Sequence, residues 1–137
     1  MTDDIYYRST DGLNLYAKRY GAADAPLSIL CMHGLTRNHK DFEPMIADLP
    51  DRYQFIAIDV RGRGLSDRDP NAENYSPAVY AGDMAALLDH LNLTRVALIG
   101  TSMGGLMSMI MMKTMPERIS GVVLNDVGPV FEKSGLD

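Results

Sequence analysis

Apolar positions along the chain first alternate with polar ones and then gather into blocks. Residues 5–9 and the alternating run Leu13-Asn14-Leu15-Tyr16-Ala17 flank Asp11-Gly12, a pair that tolerates the positive φ angles of a tight turn, so two antiparallel strands are predicted there. After the breaker-rich stretch 21–26 the apolar residues come as short continuous runs at 28–32, 53–58, 95–99 and 119–124. Their length and their Ile, Val and Phe content suit strands. A continuous run, unlike an alternating one, marks a strand covered on both faces by crossover helices, so this part of the sheet is predicted to be parallel. The intervening stretches predict helices at about 39–49, from Ser76-Pro77 to about Leu91, and directly after Ser102; the second opens on a good N-cap followed by a first-turn proline. Two antiparallel strands followed by three βα units make an α/β fold.

Composition narrows the classes open to such a fold. With 137 residues, 46% hydrophobic and 23% charged, the chain fits one folded domain with a real core. A formal charge of -5 and the lack of a basic cluster argue against a nucleic-acid partner. No apolar run approaches the roughly 18 residues of a membrane span, and the opening Met1-Thr2-Asp3-Asp4 is acidic where a signal peptide would be basic. The single cysteine, Cys31, lies inside the apolar run 27–32, where it is expected to pack as a small apolar side chain. These features together predict a cytoplasmic protein that does not engage a membrane.

The chemistry concentrates at Gly100-Thr101-Ser102-Met103-Gly104, a G-x-S-x-G sequence between an apolar strand and a methionine-rich helix. In that setting the serine sits on a sharp strand-to-helix turn. The residues two before and two after must be small because strand and helix pass close together, a demand that Gly100 and Gly104 meet. The turn lifts the hydroxyl above the carboxyl ends of the parallel strands and aims the helix N-terminus at a developing oxyanion. Ser102 is thus the candidate nucleophile. A second group, His33-Gly34-Leu35, follows the first parallel strand, where the loop can contribute another oxyanion-hole amide. Leu35 and Met103 would act through their backbone N–H groups, and the His33 imidazole is read as a loop histidine bonded to backbone.

The run His33-Gly34, then Asp59-Val60-Arg61-Gly62-Arg63-Gly64-Leu65-Ser66, then Gly100 to Gly105 resembles the α/β-hydrolase superfamily in order and separation, over nearly the whole chain. The resemblance implies an α/β-hydrolase fold and gives Asp59, Arg61, Gly62, Gly64 and Ser66 a structural role in a tight turn. It also implies a serine hydrolase acting on a small-molecule ester or related acyl substrate, with no metal or organic cofactor. Carbon–carbon bond hydrolase, lactonase, acyltransferase and a noncatalytic hydrolase-like binding module remain open as alternatives built from the same parts. Asp126, 24 residues beyond Ser102 in sequence, is a candidate triad acid, since some members take the acid from this strand; its other reading is a loop carboxylate satisfied by nearby amides. The six methionines between Met103 and Met115 could line an acyl pocket, although packing of a central helix explains them more simply.

A serine hydroxyl needs a base within hydrogen-bond reach. His33 belongs to the oxyanion loop, His39 opens a helix, and His90 falls near the end of the second helix, at the far end of a βαβ crossover. None suits the part. Residues 1–137 are therefore expected to be the N-terminal part of a single α/β-hydrolase domain, ending where a lid begins. A C-terminal fragment or continuation is expected to supply further strands, the lid and the catalytic histidine.

Overall fold

A computed structural model of the chain describes residues 2–49 and 52–125. Among these residues, six strands form one sheet: β1 (Thr2–Arg8), β2 (Asn14–Tyr20), β3 (Leu27–Met32), β4 (Tyr53–Asp59), β5 (Val96–Thr101) and β6 (Ile119–Asn125), in the spatial order β1-β2-β4-β3-β5-β6. The first pair is antiparallel with Ile5 opposite Ala17, and β2 meets β4 antiparallel with Tyr16 opposite Asp59. From β4 onward every pairing is parallel, as the change from alternating to continuous apolar runs predicts. The parallel strands thus deliver their carboxyl ends, Met32, Asp59, Thr101 and Asn125, to one edge of the sheet.

Among the described residues, three α-helices cover the faces: α1 (Glu43–Ala47), α2 (Pro77–His90) and α3 (Met103–Thr114). Side chains of β3 and β4 divide between two apolar layers because successive residues of a strand point to opposite faces. Leu30, Met32, Ile56 and Ile58 join Met84, Leu87 and Leu88 of α2 and Met107 and Met111 of α3. Cys31, Phe55 and Ala57 join Phe42, with Met45 and Ile46 of α1 packed against them. Cys31 is fully buried as a small apolar group, and burial pushes its thiol up to about 12. Of the methionines, Met107 and Met111 are core, whereas Met109 and Met112 stand 40% exposed. Among the described residues no helix is long and apolar enough to cross a membrane.

Two elements differ from the sequence pattern. The first helix is split into a 3-10 turn at His39–Phe42, capped by the Asn38 side chain accepting from the Lys40 N–H, and a short α1. Pro44 has no amide hydrogen to bond the Lys40 carbonyl, so an unbroken helical ladder cannot cross this point. The hairpin connection is five residues long, 9–13, where the sequence pattern leaves three, 10–12, between its two strands. Ser9 N–H donates to the Leu13 carbonyl, the Leu13 N–H to Ser9 Oγ and the Gly12 N–H to the Ser9 carbonyl, closing a wider loop around Gly12 at φ 93°.

Candidate active site

β5 ends at Thr101 and α3 begins at Met103, so the chain reverses within one residue. Ser102 takes φ 55° and ψ −111°, a conformation that costs a non-glycine residue about 1–3 kcal/mol and persists only when its surroundings enforce it. They do so on both sides: the Ser102 N–H donates to the Asn125 carbonyl at 3.0 Å, and the Ser102 carbonyl accepts from the Gly105 N–H at 2.8 Å. A Cβ at Gly100 would strike the Gly104 carbonyl, and one at Gly104 would strike the Met32 carbonyl. The glycines at both ends of the motif are therefore sterically required, as read from sequence.

The loop after β3 lies against this turn. A Cβ added at Gly34 would come 3.5 Å from Ser102 Cβ, so the backbone of this loop passes directly beside the serine. Its shape is set by His33, which is fully buried. Nε2 accepts from the Val60 N–H at 3.1 Å, which leaves Nδ1 as the protonated nitrogen that donates to the Gly34 carbonyl at 2.7 Å. Burial holds the ring's pKa below its ordinary value, so His33 is a neutral spacer between two loops, the role expected of it. Arg63 extends the clamp by donating from Nε to the Leu35 carbonyl at 2.8 Å. Among the described residues, the N–H groups of Leu35 and Met103 and the Ser102 hydroxyl have no hydrogen-bond partner.

A cleft of about 270 Å³ opens at this point, lined by Leu35, Tyr75, Pro77, Tyr80, Ser102, Met103 and Leu106. Sequence reasoning singled out Leu35, Ser102 and Met103, which the structure places around one cleft. It missed Tyr75, Pro77, Tyr80 and Leu106, which no motif distinguishes from ordinary loop and helix residues. Tyr75 is fixed by the Asp69 N–H, which donates to its hydroxyl at 2.6 Å, and its ring fills the space that a Cβ at Gly62 would occupy.

The turn after β4 supports the whole edge. The buried Asp59 carboxylate accepts from the His39 N–H at 2.7 Å and the Leu65 N–H at 3.0 Å, and also pairs with His39 Nδ1 at 2.9 Å. Arg61 is 1% exposed and donates to three carboxylates: Asp83 of α2, Asp11 of the hairpin and Asp69. These bonds raise the guanidinium's pKa further. The Arg61 bond holds the Asp11 carboxyl down at about 2. Burial lifts that of Asp83 against the pull of the same arginine. The structural reading of Asp59 and Arg61 agrees with these contacts, but the partners come from segments up to 50 residues away.

All three histidines of the chain are otherwise placed. His33 has both nitrogens bonded. His39 is paired with Asp59, with its ring edge-on to Tyr16. His90 ends α2 at the opposite sheet edge, beside Tyr7. Asp126 lies outside the described residues, as does the segment expected to begin a lid. Among the described residues, no three His, Cys, Asp or Glu side chains are grouped as a metal ion would require.

Known proteins share this arrangement. The sequence profile of a family described as the alpha/beta hydrolase fold matches residues 28–133. A 3-hydroxybutyrate-oligomer hydrolase of Cupriavidus necator is 36% identical over 118 residues, covering 86% of this chain and 40% of the relative. A 2-(acetamidomethylene)succinate hydrolase of Mesorhizobium japonicum is 37% identical, covering 80% of this chain and 38% of the relative. Among solved structures, an alpha/beta hydrolase from Novosphingobium aromaticivorans superposes with a TM-score of 0.87 at 40% identity, over 93% of this chain and 45% of that one. An esterase from Exiguobacterium antarcticum gives 0.82 at 27% identity, over 94% and 47%. The chain thus spans less than half the length of each of these relatives. With its sheet order, its serine turn and a profile match over most of its length, the chain belongs to the α/β-hydrolase family.

Proposed function

We propose that this chain is the nucleophile-bearing part of a serine hydrolase that acts on an ester or related acyl substrate. The observation that carries the reading is the Ser102 turn: a serine held at positive φ in an open cleft that Leu35 and Met103 also line, their N–H groups having no partner among the described residues. A strained residue with an unspent nucleophilic group, close to unspent donors, is what acyl transfer needs.

In the proposed reaction Ser102 Oγ attacks the acyl carbonyl carbon and gives its proton to a histidine base. The carbonyl oxygen becomes an oxyanion held by the N–H groups of Leu35 and Met103. Collapse of the tetrahedral intermediate breaks the bond to the alcohol, which leaves with that proton. Water, deprotonated by the same base, then releases the acid and returns the proton to Ser102. The histidine comes from polypeptide outside residues 1–137, a reading supported by the structural duties of His33 and His39, by the placing of His90 at the far end of α2 and by the length of the relatives. Asp126 is proposed as the acid that orients this base; it follows Asn125, whose carbonyl receives the Ser102 N–H.

Labelling with a fluorophosphonate tests the proposal in the complete protein. One label per chain on Ser102, lost in Ser102→Ala, is the expected result. A correctly folded complete protein that takes no label would instead be a hydrolase-like binding module.

A further inference from the structure

Among the cleft residues one polar group has no assigned task. Tyr80 occupies the first turn of α2, four residues after the Ser76 N-cap, and its N–H donates to the Ser76 carbonyl at 3.0 Å. The residue as a whole is only 3% exposed, yet it lines the cleft beside Ser102. Its hydroxyl makes no hydrogen bond to any described residue, and it is not among the fully enclosed polar atoms that lack a partner. The residue is therefore packed almost entirely, and it borders the cleft. Tyrosines normally find a partner for a hydroxyl in this setting. Tyr75, its neighbour in the cleft wall, already receives the Asp69 N–H.

The remainder of that wall is apolar, with Pro77, Met103 and Leu106 and no charged side chain. A volume of about 270 Å³ lies at the low end for ligand pockets, enough for a short chain. The α2 end that carries Tyr80 is also held firmly, because Asp83, three residues on, is bonded through both carboxylate oxygens to the buried Arg61. A pre-positioned donor on a rigid turn costs little to engage and selects strongly for a matching acceptor.

We infer that the Tyr80 hydroxyl determines acyl specificity, donating a hydrogen bond to an oxygen substituent on a short acyl chain seated in the cleft. The inference rests on the proposed hydrolase reading and deepens it by naming a substrate class. A plain hydrocarbon chain filling the cleft would displace water from the hydroxyl without giving it a partner.

The test compares p-nitrophenyl pentanoate with its 4-oxo and 3-methoxy counterparts in the complete protein and in Tyr80→Phe. Tyr80→Phe is expected to lower the kcat/KM ratio of at least one oxygen-bearing ester over the plain ester by about fivefold or more, the worth of one neutral hydrogen bond. Equal loss on all three esters, or no change in the ratio, overturns the inference and leaves the hydrolase proposal standing. Binding of the same esters to Ser102→Ala, with and without Tyr80→Phe, gives a readout free of turnover. Tyr80-dependent preference there, without hydrolysis by the parent protein, keeps the inference and removes the proposed chemistry. Binding without such a preference, or no binding to a folded protein, overturns it. Circular dichroism of each variant verifies folding.

Discussion

Two turns leave the same edge of the sheet, each after a parallel strand, each rich in glycine, and each carrying a serine. In the turn after β4, the side chains of Asp59, Arg61 and Ser66 are spent internally. Ser66 Oγ donates to the Asp59 carbonyl at 2.7 Å and accepts from the Tyr16 N–H at 2.9 Å, while Asp59 and Arg61 are consumed by His39, Leu65 and three aspartates. In the turn after β5, the backbone is held as tightly, but the Ser102 hydroxyl is left without a described partner. Ser66 is 8% exposed and its bonds tie β2 to the turn, so it works as a structural pin. Ser102 has a strained backbone, an open cleft and no such duty. The difference teaches that a motif serine is read by what its oxygen touches, since glycine-rich turns serve both purposes.

Exchanging each serine for alanine tests the contrast at its sharpest. Ser102→Ala is expected to lower kcat by at least about 10⁴-fold in the complete protein, the scale seen when a nucleophile is removed, in a steady-state ester assay. Ser66→Ala is expected to cost about 1–3 kcal/mol in urea unfolding, because it leaves the buried Tyr16 N–H without an acceptor; the wild-type and mutant midpoints give the value. A smaller effect separates the two turns by backbone. Ser102→Gly should raise stability by about 1 kcal/mol, since glycine adopts φ 55° without strain, while activity is lost with the hydroxyl. Equal stability of Ser102→Gly and the parent would mean that the turn stores little strain.

The smallest effect concerns His33, which ties the loop beside Ser102 to the turn after β4. Burial holds the His33 pKa below its ordinary 6.5, so the unfolded chain takes up a proton on acidification before the folded one does. The stability that the neutral ring contributes is complete above that value and is lost as the pH falls towards the lower folded pKa. Unfolding midpoints are expected to fall between about pH 7.5 and about pH 5.5, by up to about 1 kcal/mol. That difference should shrink in His33→Gln.

Much of this was legible before any coordinates. The switch from alternating to continuous apolar runs separates the antiparallel hairpin from the parallel strands, because only the latter are covered on both faces. The G-x-S-x-G spacing locates Ser102, since Gly100 and Gly104 leave room for two backbones that nearly touch. The broken first helix was less legible: Pro44 sits within an otherwise helical pattern and its effect on the ladder depends on where the helix starts. The acyl side of the cleft was not legible at all. Tyr75, Pro77, Tyr80 and Leu106 carry no spacing rule, and their convergence depends on where α2 docks.

The amino-acid sequence by itself determined the order of strands and helices, the site of the serine turn and the loop that faces it, because these follow from local periodicity, small-residue spacing and hydrogen-bonding groups close in the chain. Tertiary structure alone decided which polar groups are spent and which remain free. Arg61 finds Asp11 and Asp83 across the fold, His33 finds the Val60 amide, and the hydroxyls of Ser102 and Tyr80 find no described partner. Such pairings join segments distant in sequence, and their geometry is set by how the helices pack on the sheet rather than by any local preference.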